Sequence, residues 1–157
     1  KYAAMTRFYR MVYRNAWPGL EIFAGSLEGF FRHRGMGEAE KVGFLTTAVF
    51  LYGDATHRSD VLETPFDMLF QESGDCDSKT LFLTLLFHRL SIDGEFLLSL
   101  EDHHAFIGLP VRYLSGNQTP FLTGPRGTPL VGIDLVQHPK TNFYINEKWR
   151  PIDLRID

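Results

Sequence analysis

Cysteine is almost absent: of 157 residues only Cys76 carries a thiol. No internal disulfide can form, so covalent cross-links cannot hold the fold, and cysteine usage leaves the compartment open. Long apolar runs are missing as well. None reaches the roughly 20 residues of a membrane helix, and no secretory leader is visible. Basic residues do not outnumber acidic ones, the formal net charge being −3. No basic stripe interleaved with aromatics tracks phosphates, which argues against nucleic acid as a partner. Paired ligand spacings such as C-x-x-C or H-x-x-x-H are lacking, so a zinc site built from Cys76, His103, His104 and His138 is disfavoured and no metal or other cofactor is expected. Glycine loops for phosphate are absent, since Gly124-Pro125-Arg126-Gly127 contains a proline and leads into no helix. There is no internal repeat and no low-complexity tract.

What remains is a chain with 44% hydrophobic residues, long enough for one substantial core and with no sign of a second domain. Its N-terminal third reads as helical. Met5, Phe8, Tyr9, Met11, Val12 and Ala16 have helical spacing, with Arg7, Arg10 and Arg14 on a solvated side and Trp17-Pro18-Gly19 as the stop. A second helix is expected from Leu20 to His33, interrupted by Gly25 and Gly29, and a third from Glu38 to Tyr52 after the break at Arg34-Gly35-Met36-Gly37. The aromatics Phe8, Tyr9, Tyr13, Phe23, Phe30 and Phe31 are assigned to core packing and to one face against a neighbour. His33, His57 and His88 are scattered and are assigned structural or exposed positions.

Cys76 lies in Gly74-Asp75-Cys76-Asp77-Ser78-Lys79, just ahead of the periodic run Leu81, Phe82, Leu83, Leu85, Leu86, Phe87 and Leu90. The stretch Gln71-Glu72-Ser73-Gly74-Asp75 has the small and acidic residues of a helix start, which puts Cys76 at or near the first helical position. Unpaired amides and the positive end of the helix dipole favour a thiolate there. Asp75 and Asp77 oppose it, so activation calls for a histidine. A buried, inert thiol is the competing reading, but polar residues on both sides suit a rim better than a core. The candidate base comes from Leu100-Glu101-Asp102-His103-His104-Ala105-Phe106-Ile107-Gly108-Leu109-Pro110-Val111, read as a strand from about His103 to Val111. Neighbouring strand residues point to opposite faces, so only one of His103 and His104 can face Cys76.

Together these segments resemble the transglutaminase-like cysteine peptidase superfamily, bacterial transglutaminase-like cysteine proteinases among them, which has a papain-like core. The resemblance covers roughly residues 40 to 157 and rests on Thr64-Pro65-Phe66-Asp67-Met68-Leu69, the Gly-Asp-Cys-Asp-Ser-Lys segment, Leu85-Leu86 and His104-Ala105-Phe106, in that order. It implies Cys76 as nucleophile, His104 as general base with His103 pointing away, and a third, acidic residue on the strand after the histidine. Asp134 in Pro129-Leu130-Val131-Gly132-Ile133-Asp134-Leu135-Val136 is preferred, because the next strand most easily pairs with the histidine strand. A long hairpin loop through Ser115-Gly116-Asn117 and Gly124 to Pro129 separates the two. Asp153 competes, since Trp149-Arg150-Pro151-Ile152-Asp153 resembles the strand that carries the acid in many transglutaminase cores. One departure bears on mechanism: Thr46 stands where many members have a glutamine that donates to the oxyanion. The Cys76 backbone N–H can supply one donor, while the second is unidentified, Gln71 being read as a solvated loop residue.

The expectation is therefore an α+β fold over 1–157, with a helical extension over 1–36 and a core over 37–157. N-terminal helices precede a central helix that starts at the cysteine and packs on an antiparallel β-sheet. The expected activity is attack on peptide or side-chain amides through a Cys-His-Asp triad and a thioester, with hydrolysis by water favoured because similar small members are generally regarded as peptidases. Cross-linking to an amine and a catalytically weak or inactive peptide-binding module are the alternatives. Protein or peptide is the expected partner. A chain that begins at Lys1 suggests flanking domains in a longer parent, and an extracytoplasmic, periplasmic setting in a bacterial protein is favoured.

Overall fold

The computed structural model describes residues 1–54, 64–71, 73–101, 103–114, 122–124, 127–136 and 149–154. Three helices open the chain: α1 (Tyr2–Ala16), α2 (Glu21–Arg34) and α3 (Glu38–Phe50). The second runs unbroken through Gly25 and Gly29, contrary to the interruption expected. Nothing lies within 4 Å of where either Cβ would be; both glycines are on the solvent side, where each costs only about 1 kcal/mol against alanine. Burial of Leu20, Ala24 and Phe31 holds the helix regardless. Gly35, at φ 64°, ends α2 in the left-handed conformation that glycine adopts most readily. The third helix stops at Phe50, two residues short of the expected end.

Between α3 and the cysteine helix lie three elements that hydrophobic periodicity did not reveal. Strands β1 (Gly53–Asp54) and β2 (Ser73–Gly74) form a two-residue parallel pair, and α4 (Pro65–Gln71) lies between them in sequence. The start of α4 explains the segment Thr64-Pro65-Phe66-Asp67 in physical terms. The Thr64 amide and hydroxyl both donate to Asp67 Oδ2, at 2.8 and 2.6 Å, and the Asp67 amide donates back to Thr64 Oγ1 at 3.3 Å. Pro65 occupies the first helical position, where no N–H is required.

Helix α5 (Cys76–Arg89) is buried on every side from Ser78 to Phe87, where periodicity alone suggested a stripe. It is packed between α1–α4 and the sheet. Its polar residues survive there by bonding backbone carbonyls. Thr80 and Thr84 donate to Cys76 O and Thr80 O at 2.6 and 2.7 Å, and the fully buried Lys79 ammonium donates to Tyr52 O at 2.8 Å and Leu135 O at 3.3 Å.

The sheet has the order β5-β6-β4-β3-β7 and is antiparallel throughout. Its strands are β3 (Glu95–Ser99), β4 (His104–Pro110), β5 (Leu122–Thr123), β6 (Pro129–Ile133) and β7 (Arg150–Ile152). The protein is thus α+β, with the cysteine at the start of a central helix laid on an antiparallel sheet. Three strand limits differ from the sequence reading. Strand β4 starts at His104, because His103 adopts φ 49° in the turn, and Val111 belongs to a 3₁₀ turn. Strand β6 ends at Ile133, which leaves Asp134 one residue beyond it. The first 36 residues share the main core: Tyr9, Tyr13, Leu20 and Phe31 pack in one cluster with α5 residues and with Phe96, Ala105, Ile107 and Ile152 of the sheet.

Candidate functional site

The local start of α5 fixes Cys76. Asp75 is the N-cap, its Oδ1 accepting the Ser78 amide at 3.0 Å, so Cys76 is the first helical residue and its own amide can have no intrahelical partner. The thiol is half-buried. Asp75 and Asp77 stand on either side of it and hydrogen-bond to each other. Burial, then the bond to Asp75 and repulsion from it, push the Asp77 carboxyl up to about 6. Asp75 is held below its ordinary value despite burial, chiefly by the bond from Asp77. Tyr9 of α1 donates its hydroxyl to Asp77 Oδ2 at 2.7 Å, and its own titration is raised by burial and by that carboxylate.

His104 comes from the opposite layer, as the first residue of β4. The hairpin from β3 closes with Ser99 opposite His104, and His103 takes the left-handed conformation at the last loop position. Histidine tolerates that region better than most residues. It leaves His103 exposed and turned out, while His104 enters the ladder. On the other side of β4, Ile107 pairs with Ile133, which places Asp134 opposite Phe106 and diagonal to His104 on the same face. The imidazole Nε2 lies 2.9 Å from Asp134 Oδ2, and Oδ1 of that carboxylate accepts the Val136 amide at 3.0 Å. Asp134 is 1% exposed. Both its oxygens are thus committed, and the carboxylate orients the ring.

Cys76 is the second group whose interaction with the imidazole raises His104. Since Nε2 is taken by Asp134, Nδ1 is the nitrogen left for sulfur. Burial works against the imidazolium. Hydrogen bonds to Asp134 and Cys76, and the charges of both, override it and push His104 up to about 10. A cation held there is the partner a thiolate requires. His104 is thus bonded to Asp134 and electrostatically coupled to Cys76.

Asp153 is not part of it. Strand β7 pairs with β3 so that Leu98 faces Arg150 and Phe96 faces Ile152, and the chain leads away from His104 as it approaches residue 153. Asp153, its side chain 55% exposed, lies 3.6 Å from Arg10, whose Nε also donates to the Asp153 carbonyl. The same register places Trp149 near the histidine end of β3. Phe106 meets the His104 ring edge to face at 4.7 Å, Trp149 lies 6.3 Å from it, and the two rings stack at 4.3 Å. With Leu97 and Leu122 they make an apolar wall on the sheet face away from the main core. This wall was not found from sequence, although the spacing of His104 and Phe106 by two in a strand was a usable signal.

The remaining candidates fall elsewhere. Thr46 lies on α3 with its Oγ1 buried and unpartnered among the described residues. Gln71 is exposed at the end of α4. His33 is exposed, and His88 bonds Tyr13 and the Gly94 carbonyl. His57, His138 and most of the 115–128 loop lie outside the described residues. Among the described residues no group of three or more His, Cys, Asp or Glu gathers in a form suited to a metal ion, and no helix is long and apolar enough to cross a membrane. The sequence matches no protein-family model and no curated protein.

Proposed function

We propose that the chain is a thiol enzyme of the transglutaminase-like cysteine peptidase type, which attacks peptide or side-chain amides and hydrolyses the resulting thioester. The observation that carries this reading is the position of His104, bonded to the buried Asp134 and coupled to Cys76, with both groups raising its titration. In this mechanism the Cys76 thiolate attacks the amide carbonyl carbon while imidazolium Nδ1 holds the proton taken from sulfur. The tetrahedral oxyanion meets the Cys76 amide at the positive end of α5. Collapse breaks the C–N bond, the Nδ1 proton goes to the departing amine, and a thioester remains. Neutral His104 then takes a proton from water. The hydroxyl adds to the thioester carbonyl, and the C–S bond breaks to give a carboxylic acid and regenerate the thiolate–imidazolium pair. Asp134 keeps the ring in the tautomer that presents Nδ1 to sulfur.

The test is the pH dependence of Cys76 alkylation by iodoacetamide in wild type and His104→Ala. A thiol that reacts fast near neutral pH and slows when His104 is lost supports the reading; equal and slow reaction in both proteins refutes it. Thr46, which stands where many members of that superfamily have an oxyanion-donating glutamine, favours one rival, a peptide-binding module without turnover. Activated alkylation without hydrolysis of any amide or thioester substrate would favour that rival.

A further inference from the structure

Helix α1 read as plain packing from sequence, yet three tyrosines on one of its faces each make a directional polar bond to a different part of the fold. Tyr2, Tyr9 and Tyr13 are spaced by seven and four residues and so project from the same side. At one end the Tyr2 hydroxyl donates to Leu98 O and accepts from the Leu100 amide, both at 3.2 Å. Those groups are the exit of β3 and the first residue of the turn that delivers His104. About 10 Å further along the helix, at 1.5 Å per residue, Tyr9 donates to Asp77, the residue after Cys76. Its ring also packs on Phe96 of β3 at 4.7 Å. Tyr13 serves the far end of α5. The Gly94 carbonyl can only accept from His88 Nε2, so His88 Nδ1 accepts the Tyr13 hydroxyl at 2.8 Å.

Cys76 and His104 belong to different layers, α5 and the sheet, and buried apolar contact between layers is not directional. Hydroxyl bonds from one rigid helix to the start of α5 and to the histidine hairpin fix both ends against a common reference. We propose that α1 is a strut that sets the separation of Cys76 and His104, with Tyr2 and Tyr9 as positioning residues that act through the β3–β4 turn and through Asp77. This rests on the triad reading above. It extends the site to the N-terminal helix, which the sequence reading placed outside the core.

The test compares Tyr2→Phe, Tyr9→Phe and Tyr13→Phe in the full chain, each of which keeps its ring and loses only a hydroxyl. Three readouts are taken: thermal unfolding, the pH profile of Cys76 alkylation by iodoacetamide, and the His104 titration followed by NMR. Displacement of a reacting group by about 1 Å costs on the order of 10²-fold. Loss of one tie should therefore lower alkylation near pH 7 by about tenfold in Tyr2→Phe and in Tyr9→Phe, and move the His104 titration downward. The double variant should lose more than either. Tyr13→Phe, like Tyr9→Phe, should melt earlier than wild type, but with alkylation and titration as in wild type. The proposal is overturned if Tyr2→Phe and Tyr9→Phe keep the wild-type profiles, or if Tyr13→Phe disturbs them equally, since either result reduces the tyrosines to ordinary stabilising contacts. If wild-type alkylation proves independent of His104, the triad reading fails first and the strut fails with it.

Discussion

Asparagine at position 134 is the sharpest perturbation of the site, because Asp134 uses both carboxylate oxygens. Oδ2 faces His104 Nε2 at 2.9 Å and Oδ1 accepts the Val136 amide at 3.0 Å. Asparagine has one acceptor and one NH₂, so Asp134→Asn must give up one bond or the other. If its oxygen stays with Val136, the NH₂ faces Nε2, which then has to accept, and the ring proton moves to Nδ1, away from the tautomer the mechanism needs. If its oxygen turns to His104, an NH₂ group confronts the Val136 amide in a site that is 1% exposed. A hydrogen bond to a charged group contributes about 1.5–3 kcal/mol, and about 1.4 kcal/mol corresponds to one pKa unit. His104 should therefore come down from about 10 by ~1–2 units. Turnover of any cleavable amide or thioester should fall by about 10²–10⁴-fold, as expected for a general base in the wrong tautomer. Alkylation near pH 7, followed beside an NMR titration of His104, should slow by about 10- to 100-fold. Asp153→Asn is the control: its exposed pair with Arg10 at 3.6 Å contributes less than about 1 kcal/mol, and the variant should match wild type in both assays. A wild-type profile in Asp134→Asn, or the larger effect in Asp153→Asn, would refute the placement of the acid.

Four further outcomes follow from the same geometry. His104 titrates higher in the folded protein, about 10 against 6.5, so its contribution to stability is complete below pH 6.5 and disappears as pH rises through 10; urea unfolding of His104→Ala should lack that decline. Asp77, also raised, to about 6, costs stability once ionised, so Asp77→Asn should be more stable than wild type by about 1–2 kcal/mol at pH 7 and no more stable near pH 3.5. Lys79→Met leaves the Tyr52 and Leu135 carbonyls without their ammonium donor in a fully buried setting, and calorimetry should show about 3 kcal/mol of lost stability. Thr46→Val removes a buried hydroxyl that has no partner among the described residues and should raise the urea midpoint, by about 1 kcal/mol in free energy.

What could be read in the sequence, and what could not, divides along the range of the forces involved. The start of α5 was legible because a cap is local: Asp75, Cys76 and Ser78 fix the geometry within four residues. Helix α1 was legible from its periodicity, whereas His103, read as the first strand residue, instead holds the left-handed position just before β4. Helix α4 was missed although its Thr64–Asp67 capping box is equally local, because seven residues are too few for hydrophobic periodicity to register. The burial of α5 on all sides was not legible from its own residues, which include Lys79, Thr80 and Thr84. Their acceptors are backbone carbonyls, one of them more than fifty positions away. The strut was hidden for the same reason: Tyr9 counts as a core aromatic, and Tyr2 carries no signal at all, until their partners, 68 and 98 residues distant, are known.

The two competing acids show how register decides what a motif cannot. Both Asp134 and Asp153 follow a short strand, and both strands lie beside the β3–β4 hairpin, one on each side. An aspartate just past a strand reaches His104 only if the strand runs toward the hairpin turn and ends on the right face. Strand β6 satisfies this: with Ile133 opposite Ile107, one more residue toward the turn lies opposite Phe106, two positions from His104 and on its face. Strand β7 starts near the turn and runs the other way, so Trp149 arrives beside the imidazole and Asp153 leaves it. The tryptophan and the aspartate of one short motif thus end on opposite sides of the question. The first shields the histidine, and the second pairs with Arg10 at the surface.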